Sequence, residues 1–282
     1  MINTQMAVRA ALPSDNTSIA NLIYFESNVH RHLDWRGPLE WLGAPEYWVL
    51  DDQKSVQAAL ACPPDPEGVA WLRLFTHSSS LPTSRAWKLL WEHAKAVLAG
   101  RSLQAAAITT ADWFSETLSE SGFQVKQNIV VLEKNSSTAN PIPTIPGVVL
   151  RPMAAVDLVA VAEVDKAGFA PLWRNSLQAL DSGFMQAGFA IVAVMGDEIV
   201  GYQISTRNAF GTHLARLAVT PRLQGRGIGN MLVQDLFYRG WRAGLRRFTV
   251  NTQNDNHSSL MLYKRNGFEL TGERYAVYTH PL

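Results

Sequence analysis

An internal repeat constrains the fold more than any other feature of this sequence. Val8-Arg9-Ala10 followed by Asp15 recurs as Leu150-Arg151-Pro152 followed by Asp157, an offset of 142. Tyr47 to Leu50, a polar turn at Asp51 to Lys54 and an apolar run from Val56 recur as Ile191 to Val194, Gly196 to Glu198 and a run from Ile199. Arg73-Leu74 returns as Arg216-Leu217, offset 143, and Gly122-Phe123 as Gly267-Phe268, offset 145. Four matches in one order are better explained by an internal duplication than by chance, and a repeat of this length is a whole folding unit, so two similar domains in tandem are expected. The 282 residues suffice for two cores of about 140 residues each.

Between the copies, Asn135 to Pro146 carries three prolines among small polar residues and cannot continue a helix or a central strand. The expected organisation is a first domain over 1–134, a linker over 135–146 and a second domain over 147–282. Each half reads strand, helix, helix, hairpin, strand, helix, strand, helix, strands. The predicted class is α/β in a layered α+β sense, a mixed and mostly antiparallel sheet flanked by helices.

Charge narrows the function. The formal net charge is +1, which leaves no global field for nucleic acid or an anionic membrane, so neither is expected as a partner and any anion site must be local. A single cysteine, Cys62, excludes an intrachain disulfide framework and a multi-cysteine metal site; no metal is expected. No apolar run approaches the ~18 residues of a membrane span, and the N-terminal segment does not read as a signal peptide. The expected compartment is the cytoplasm.

The richest stretch runs from Leu214 to Gly229, through a strand and a glycine-rich turn into an amphipathic helix marked by Ile228, Leu232 and Leu236 and stopped near Gly244. Glycines 225, 227 and 229 therefore sit at a helix N-terminus, where unpaired N–H groups and the positive end of the dipole can receive phosphate. Seven arginines against one acid, Asp235, lie between Leu214 and Phe248, and Arg222 and Arg226 are the ones near the turn. The lysine and hydroxyl residue of a triphosphate loop are missing. The G-x-G-x-G spacing also departs from the G-x-G-x-x-G dinucleotide fingerprint, against a nucleotide-dependent oxidoreductase.

Gln224-Gly225-Arg226-Gly227-Ile228-Gly229 resembles the pyrophosphate-binding motif of the GNAT superfamily of N-acetyltransferases, Gln/Arg-x-x-Gly-x-Gly/Ala. Asn256, Leu262-Tyr263 and Gly267-Phe268 resemble that family's second motif at its spacing. The resemblance covers 147–282 strongly, and tandem members such as mycothiol synthase share the expected architecture. It implies acetyl-CoA, or another acyl-CoA, as donor and a small-molecule or peptide amine as acceptor. It assigns the pantetheine arm to Leu217, Ala218 and Val219, with a backbone donor near Ala218 polarising the thioester. The amides of Gly225, Arg226, Gly227, Ile228, Gly229 and Asn230, with Gln224 before them, would hold the pyrophosphate, and Asn256 would bond the cofactor arm.

Tyr263 falls on the family's general-acid position. Asn251 stands where some relatives carry a glutamate that acts as general base; His213, four residues before Leu217, stands where others carry one, and by that resemblance it is the candidate base. Trp173, Arg174 and Asn175 fall in the segment where the family lines its acceptor cleft. In the first copy the 143 offset places Leu81, Pro82, Ser84 and Ala86 on the motif, and Leu118 falls on Tyr263. The first domain is therefore expected to lack a cofactor site. The alternative function is an acyl-CoA-binding pseudoenzyme acting as a sensor or scaffold.

Overall fold

The computed structural model describes residues 6–101, 104–135 and 141–282. Of the expected linker, residues 136–140 lie outside the described residues. The chain divides into two compact units, Met1–Lys126 with Tyr275–Leu282, and Gln127–Arg274. The second is one continuous stretch; the first is made of two. The sequence reading ended the first domain at 134 and gave everything after 147 to the second; here residues 127–135 group with the second unit and residues 275–282 with the first.

The first unit comprises β1 (Ala7–Ala10), α1 (Asn16–Phe25), β2 (Val29–Arg31), β3 (Tyr47–Asp51), β4 (Val56–Ala61), β5 (Val69–Trp71), β6 (Leu74–His77), α2 (Thr83–Leu98), β7 (Gln104–Ile108), α3 (Asp112–Glu120) and the start of β8 (Gln124–Asn135). The second holds the rest of β8, then β9 (Val148–Pro152), α4 (Leu158–Gly168), α5 (Leu177–Met185), β10 (Phe189–Met195), β11 (Glu198–Asn208), β12 (Gly211–Val219), α6 (Ile228–Arg242), β13 (Arg247–Gln253) and α7 (His257–Arg265). The last strand, β14 (Glu269–Pro281), starts in the second unit; its residues from Tyr275 belong to the first and pair with β7. Among the described residues no helix is long and apolar enough to cross a membrane.

The repeat survives in atomic detail. Arg9 clamps Asp15 with two hydrogen bonds of 2.7 and 2.9 Å, and the Leu12 N–H donates to the same carboxylate. Arg151 clamps Asp157 at 2.6 and 2.8 Å, and the Ala154 N–H completes the copy. Such bidentate pairs fix the direction in which strand gives way to helix. Each unit also has a three-residue parallel ladder, β5 on β7 in the first and β12 on β13 in the second.

Within the second unit the strands run β8-β13-β12-β11-β10-β9, antiparallel except at β12 and β13. The helix α6 covers one face, where Leu236 and Phe237 are buried with Leu214 and Val250, and Leu232 with Val200 and Val219, while α4 packs on β11 and β12. In the first unit β1-β3-β4-β6-β2 form a five-stranded sheet. Trp87, Leu90 and Trp91 of α2 fill one core layer and Ile19 and Ile23 of α1 the other.

Among the described residues the strand β2 has no counterpart in the second unit. It pairs antiparallel on the free edge of β6, Val29 opposite Thr76, His30 opposite Phe75 and Arg31 opposite Leu74. His30 is buried, stacks on Phe114 at 4.1 Å and lies 2.9 Å from the Leu72 carbonyl. Burial brings its pKa down to about 4. The folded state therefore keeps it neutral while the unfolded chain takes a proton below pH 6.5. Stability from this residue is intact above pH 6.5 and falls by up to about 3 kcal/mol as the pH drops toward 4. We expect His30→Gln, which keeps a donor but does not titrate, to flatten the decline of melting temperature between pH 6.5 and 4. An unchanged slope in thermal melts would mean His30 is not held neutral.

Candidate functional site

Strands β11 and β12 pair from Gly201 opposite Val219 to Asn208 opposite Gly211, with a bulge at Ala215. On its other edge β12 meets β13 only at Thr212–Phe248, His213–Thr249 and Leu214–Val250. Both strands continue beyond these pairs, so they part and leave the edge of β12 from Arg216 to Val219 without a strand partner. The Thr220 N–H donates to the Val200 carbonyl at 2.9 Å. Backbone groups alternate along an antiparallel strand, so those of Ala218 face β11 and those of Leu217 and Val219 face the gap. This corrects the expectation for Ala218: the N–H groups available to a ligand are those of Leu217 and Val219. The Val219 carbonyl accepts from Gln224 Nε2 at 3.0 Å, which ties the turn to the strand it leaves.

The gap ends at the N-terminus of α6. Gly225 and Gly227 have φ of 75° and 89°, a region that costs other residues about 1–2 kcal/mol. Gly229 serves a different purpose, since a Cβ there would lie 3.3 Å from Leu262 Cδ2; its bareness lets α6 approach α7. The first internal bond of the helix runs from Met231 N–H to the Gly227 carbonyl at 2.9 Å. The N–H groups of Ile228, Gly229 and Asn230 thus have no acceptor within the helix and carry its positive end. Gln224, Gly225, Arg226 and Gly227 are exposed. Arg222, expected near the turn, instead pairs with Glu198.

Tyr263 of α7 is buried against Phe268, ring centroids 5.7 Å apart. Burial raises its phenol to about 12, opposed by a hydrogen bond with Ser259 and by the charge of Arg216. The hydroxyl therefore stays protonated through the ordinary pH range. Asn256, expected to bond a cofactor, caps α7: its Oδ1 accepts from Ser259 N–H at 3.1 Å and its Nδ2 donates to Gln253 Oε1 at 3.3 Å.

His213 lies where β12 and β13 are still paired, with Nδ1 2.9 Å from Thr249 Oγ1. Burial lowers its pKa, and a hydrogen bond with Asn251 opposes that shift. Both partners come from β13, so the imidazole is oriented from one side.

The sequence reading missed the hub beside the gap. Arg216 bonds both oxygens of Asp165, Nε to Oδ2 at 2.7 Å and Nη2 to Oδ1 at 3.0 Å, and Nη2 also donates to the Trp173 carbonyl at 2.5 Å. Its guanidinium lies 3.5 Å over the Phe169 ring. Asp165, 0% exposed, also accepts from the Tyr202 hydroxyl at 2.5 Å and the Asn175 N–H at 2.8 Å. Removing one partner of a buried pair like this costs about 3–5 kcal/mol, so the hub holds three elements, α4, β11 and β12, in one arrangement. Of the residues expected to touch an acceptor, Trp173 and Asn175 bond the hub through their backbone and Arg174 Nε donates to the Phe169 carbonyl at 3.2 Å. The sequence signal was the recurrence of Arg73 as Arg216 at the repeat offset.

Fold and site together define an α/β domain that opens its sheet beside a glycine-capped helix terminus. Residues 158–268 match the acetyltransferase (GNAT) family. The chain is 35% identical over 101 residues to the peptidyl-lysine N-acetyltransferase YjaB of Salmonella typhimurium, a match covering 36% of this chain and spanning 63% of that relative's length. Across 98% of the chain the fold matches a tandem GNAT protein from the clavulanic acid biosynthesis pathway, covering 98% of that structure with a TM-score of 0.65 at 15% identity. A GCN5-related N-acetyltransferase from Sphaerobacter thermophilus gives a TM-score of 0.62 at 17% identity, covering 98% of this chain and 95% of that one. The architecture is two GNAT-like domains in tandem.

The competing influences on His213 make its titration informative. With burial dominant, its ring protons should titrate with a midpoint below 6.5 in NMR. A midpoint above that value would show that the bond with Asn251 outweighs burial.

Proposed function

We propose that the second unit transfers an acyl group from acetyl-CoA to a primary amine of a small molecule or peptide. The observation that carries this reading is the parting of β12 and β13 after Leu214, which leaves N–H groups of Leu217 and Val219 facing a gap that ends at the N-terminus of α6. The residues present fit such a donor: an unpaired strand edge for an amide-bearing arm, and an exposed N-terminus with no Cβ at two left-handed positions for a pyrophosphate. The name of the relative from Salmonella typhimurium makes a lysine side chain in a peptide the first acceptor to try.

When bound, acetyl-CoA supplies a thioester carbon open to attack. The N–H groups of Leu217 and Val219 are the candidates to stabilise negative charge on the thioester oxygen. Burial keeps the phenol of Tyr263 protonated, and it gives its proton to the departing thiolate. Its raised pKa means that the acid is never lost to solvent at working pH, and that transfer depends on charge developing beside it. His213, held neutral by burial, accepts the proton that the attacking ammonium must lose, directly or through water. Asn251 cannot act as a base and instead orients the imidazole.

The first unit supports a single site per chain. Its equivalent edge on β6 is covered by β2, its turn carries Leu81, Pro82, Ser84 and Ala86 in place of the motif, and Leu118 replaces the acid.

Two outcomes test the reading. Calorimetry with acetyl-CoA should give one site per chain, and Gly227→Val, which forces a branched side chain into a left-handed position at the phosphate end, should abolish binding; two equivalent sites, or retained affinity, would contradict it. Tyr263→Phe should lower turnover by about 10²-fold or more, in an assay of acetyl-CoA with lysine peptides and small amines, with affinity for acetyl-CoA unchanged. A lower melting temperature at unchanged turnover would assign Tyr263 to the core alone.

A further inference from the structure

The two copies treat the segment after their first helix in opposite ways. In the first unit β2 begins four residues past the end of α1 and pairs along Leu74–Thr76, filling the edge equivalent to the open edge of β12. Ser78 N–H donates to the Gln57 carbonyl and His32 N–H to the Arg73 carbonyl, so by alternation the backbone of Phe75 faces β2 while those of Leu74 and Thr76 face β4. In the second unit the same distance past α4 lands at Leu172 to Arg174, and this segment makes no strand. It is held instead by Arg216 and Asp165, through the Trp173 carbonyl, the Asn175 N–H and the Phe169 ring. Arg73, the counterpart of Arg216, also grips a carboxylate and a carbonyl, but its carboxylate is Asp34, three residues beyond β2, so that arginine secures a segment already seated on the edge.

We propose that Arg216 is a positioning residue that keeps the Phe169–Asn175 segment off the edge of β12 and thereby keeps the ligand gap open. The physical drive for the segment to enter is the pairing that the first unit displays: backbone groups of an unpaired edge gain hydrogen bonds from any extended chain within reach. Such a segment is near. Gly168, the last residue of α4, sits so close to β12 that a Cβ there would lie 3.3 Å from the Ala218 Cβ, and none of residues 172–174 is proline, although the Trp173 and Arg174 N–H groups now donate to the Ala170 and Pro171 carbonyls and would have to leave them. The hub offsets that drive with four hydrogen bonds to the buried Asp165 and the stacked guanidinium. The occupant excluded from the gap is acetyl-CoA only if the reading above holds; the competition between segment and open edge does not depend on it.

The test uses the full chain with Arg216→Gln and, because a buried Asp165 left unpaired endangers folding, Asp165→Asn as a second variant that retains partners for Tyr202 and Asn175. Amide hydrogen exchange without ligand should show slower exchange at Leu217 and Val219 in the variants than in wild type, as the segment pairs with the edge. Calorimetry should show affinity for acetyl-CoA weakened by about tenfold, the loss expected if the segment fills the gap nine times in ten. KM for acetyl-CoA should rise by about the same factor, more than turnover at saturating acetyl-CoA falls. Faster exchange at Leu217 and Val219, or unchanged exchange with unchanged affinity, would overturn the proposal and leave Arg216 as a fold anchor. Should wild type not bind acetyl-CoA, the functional reading fails, and the exchange comparison still decides whether Arg216 guards the edge.

Discussion

A strand edge inside a protein cannot be left bare without consequence, because each N–H and C=O that loses water must find another partner. The whole organisation of this chain answers that constraint. In both units a three-residue parallel ladder closes the middle of the sheet and then ends. The first unit satisfies the exposed edge with its own chain, β2 on β6. The second presents an edge at Leu217–Val219 to whatever can enter, and places the amide-rich start of α6 at its far end. One copy solves the problem internally and the other leaves the edge open.

The buried hub around Asp165 belongs to the same logic. An aspartate with no exposure is tolerable only when its lone pairs are filled, and here Arg216, Tyr202 and Asn175 fill them. Burial holds the Tyr202 phenol well above its usual pKa, so it remains a donor to the carboxylate. Charge, ring and backbone converge on the residue immediately before the gap. The same arginine contributes to the field at Tyr263, so the group that sets the shape of the site also acts on its candidate acid.

What the sequence revealed divides along local and non-local lines. The repeat was readable because Arg9 and Asp15, or Arg151 and Asp157, are six residues apart and the pair is made within one turn of chain. The left-handed glycines 225 and 227 were readable as a turn because few other residues tolerate that geometry. The direction of the Ala218 backbone was not, since alternation counts from the register of β11 and β12 and nothing in the residue types fixes it. The hub was hidden because Asp165 and Arg216 are 51 residues apart and the arginine had registered only as a marker of the repeat. The strand β2 was hidden for a related reason: three residues, Val29-His30-Arg31, carry no periodicity, and only the edge they cover makes them a strand.

The division of residues between the units has a consequence for how the molecule comes to exist. The first unit is completed by Tyr275–Leu282, whose strand pairs with β7 along Ala105–Ile108. During synthesis that partner emerges after residues 127–274, so the edge of β7 waits while the second unit is made. A ribosome pausing in the second half therefore holds an unfinished first half, and cutting the chain between the copies yields two fragments that each lack a strand belonging to them. The repeat arose as two copies of one pattern, yet the copies have become a single covalent unit of folding.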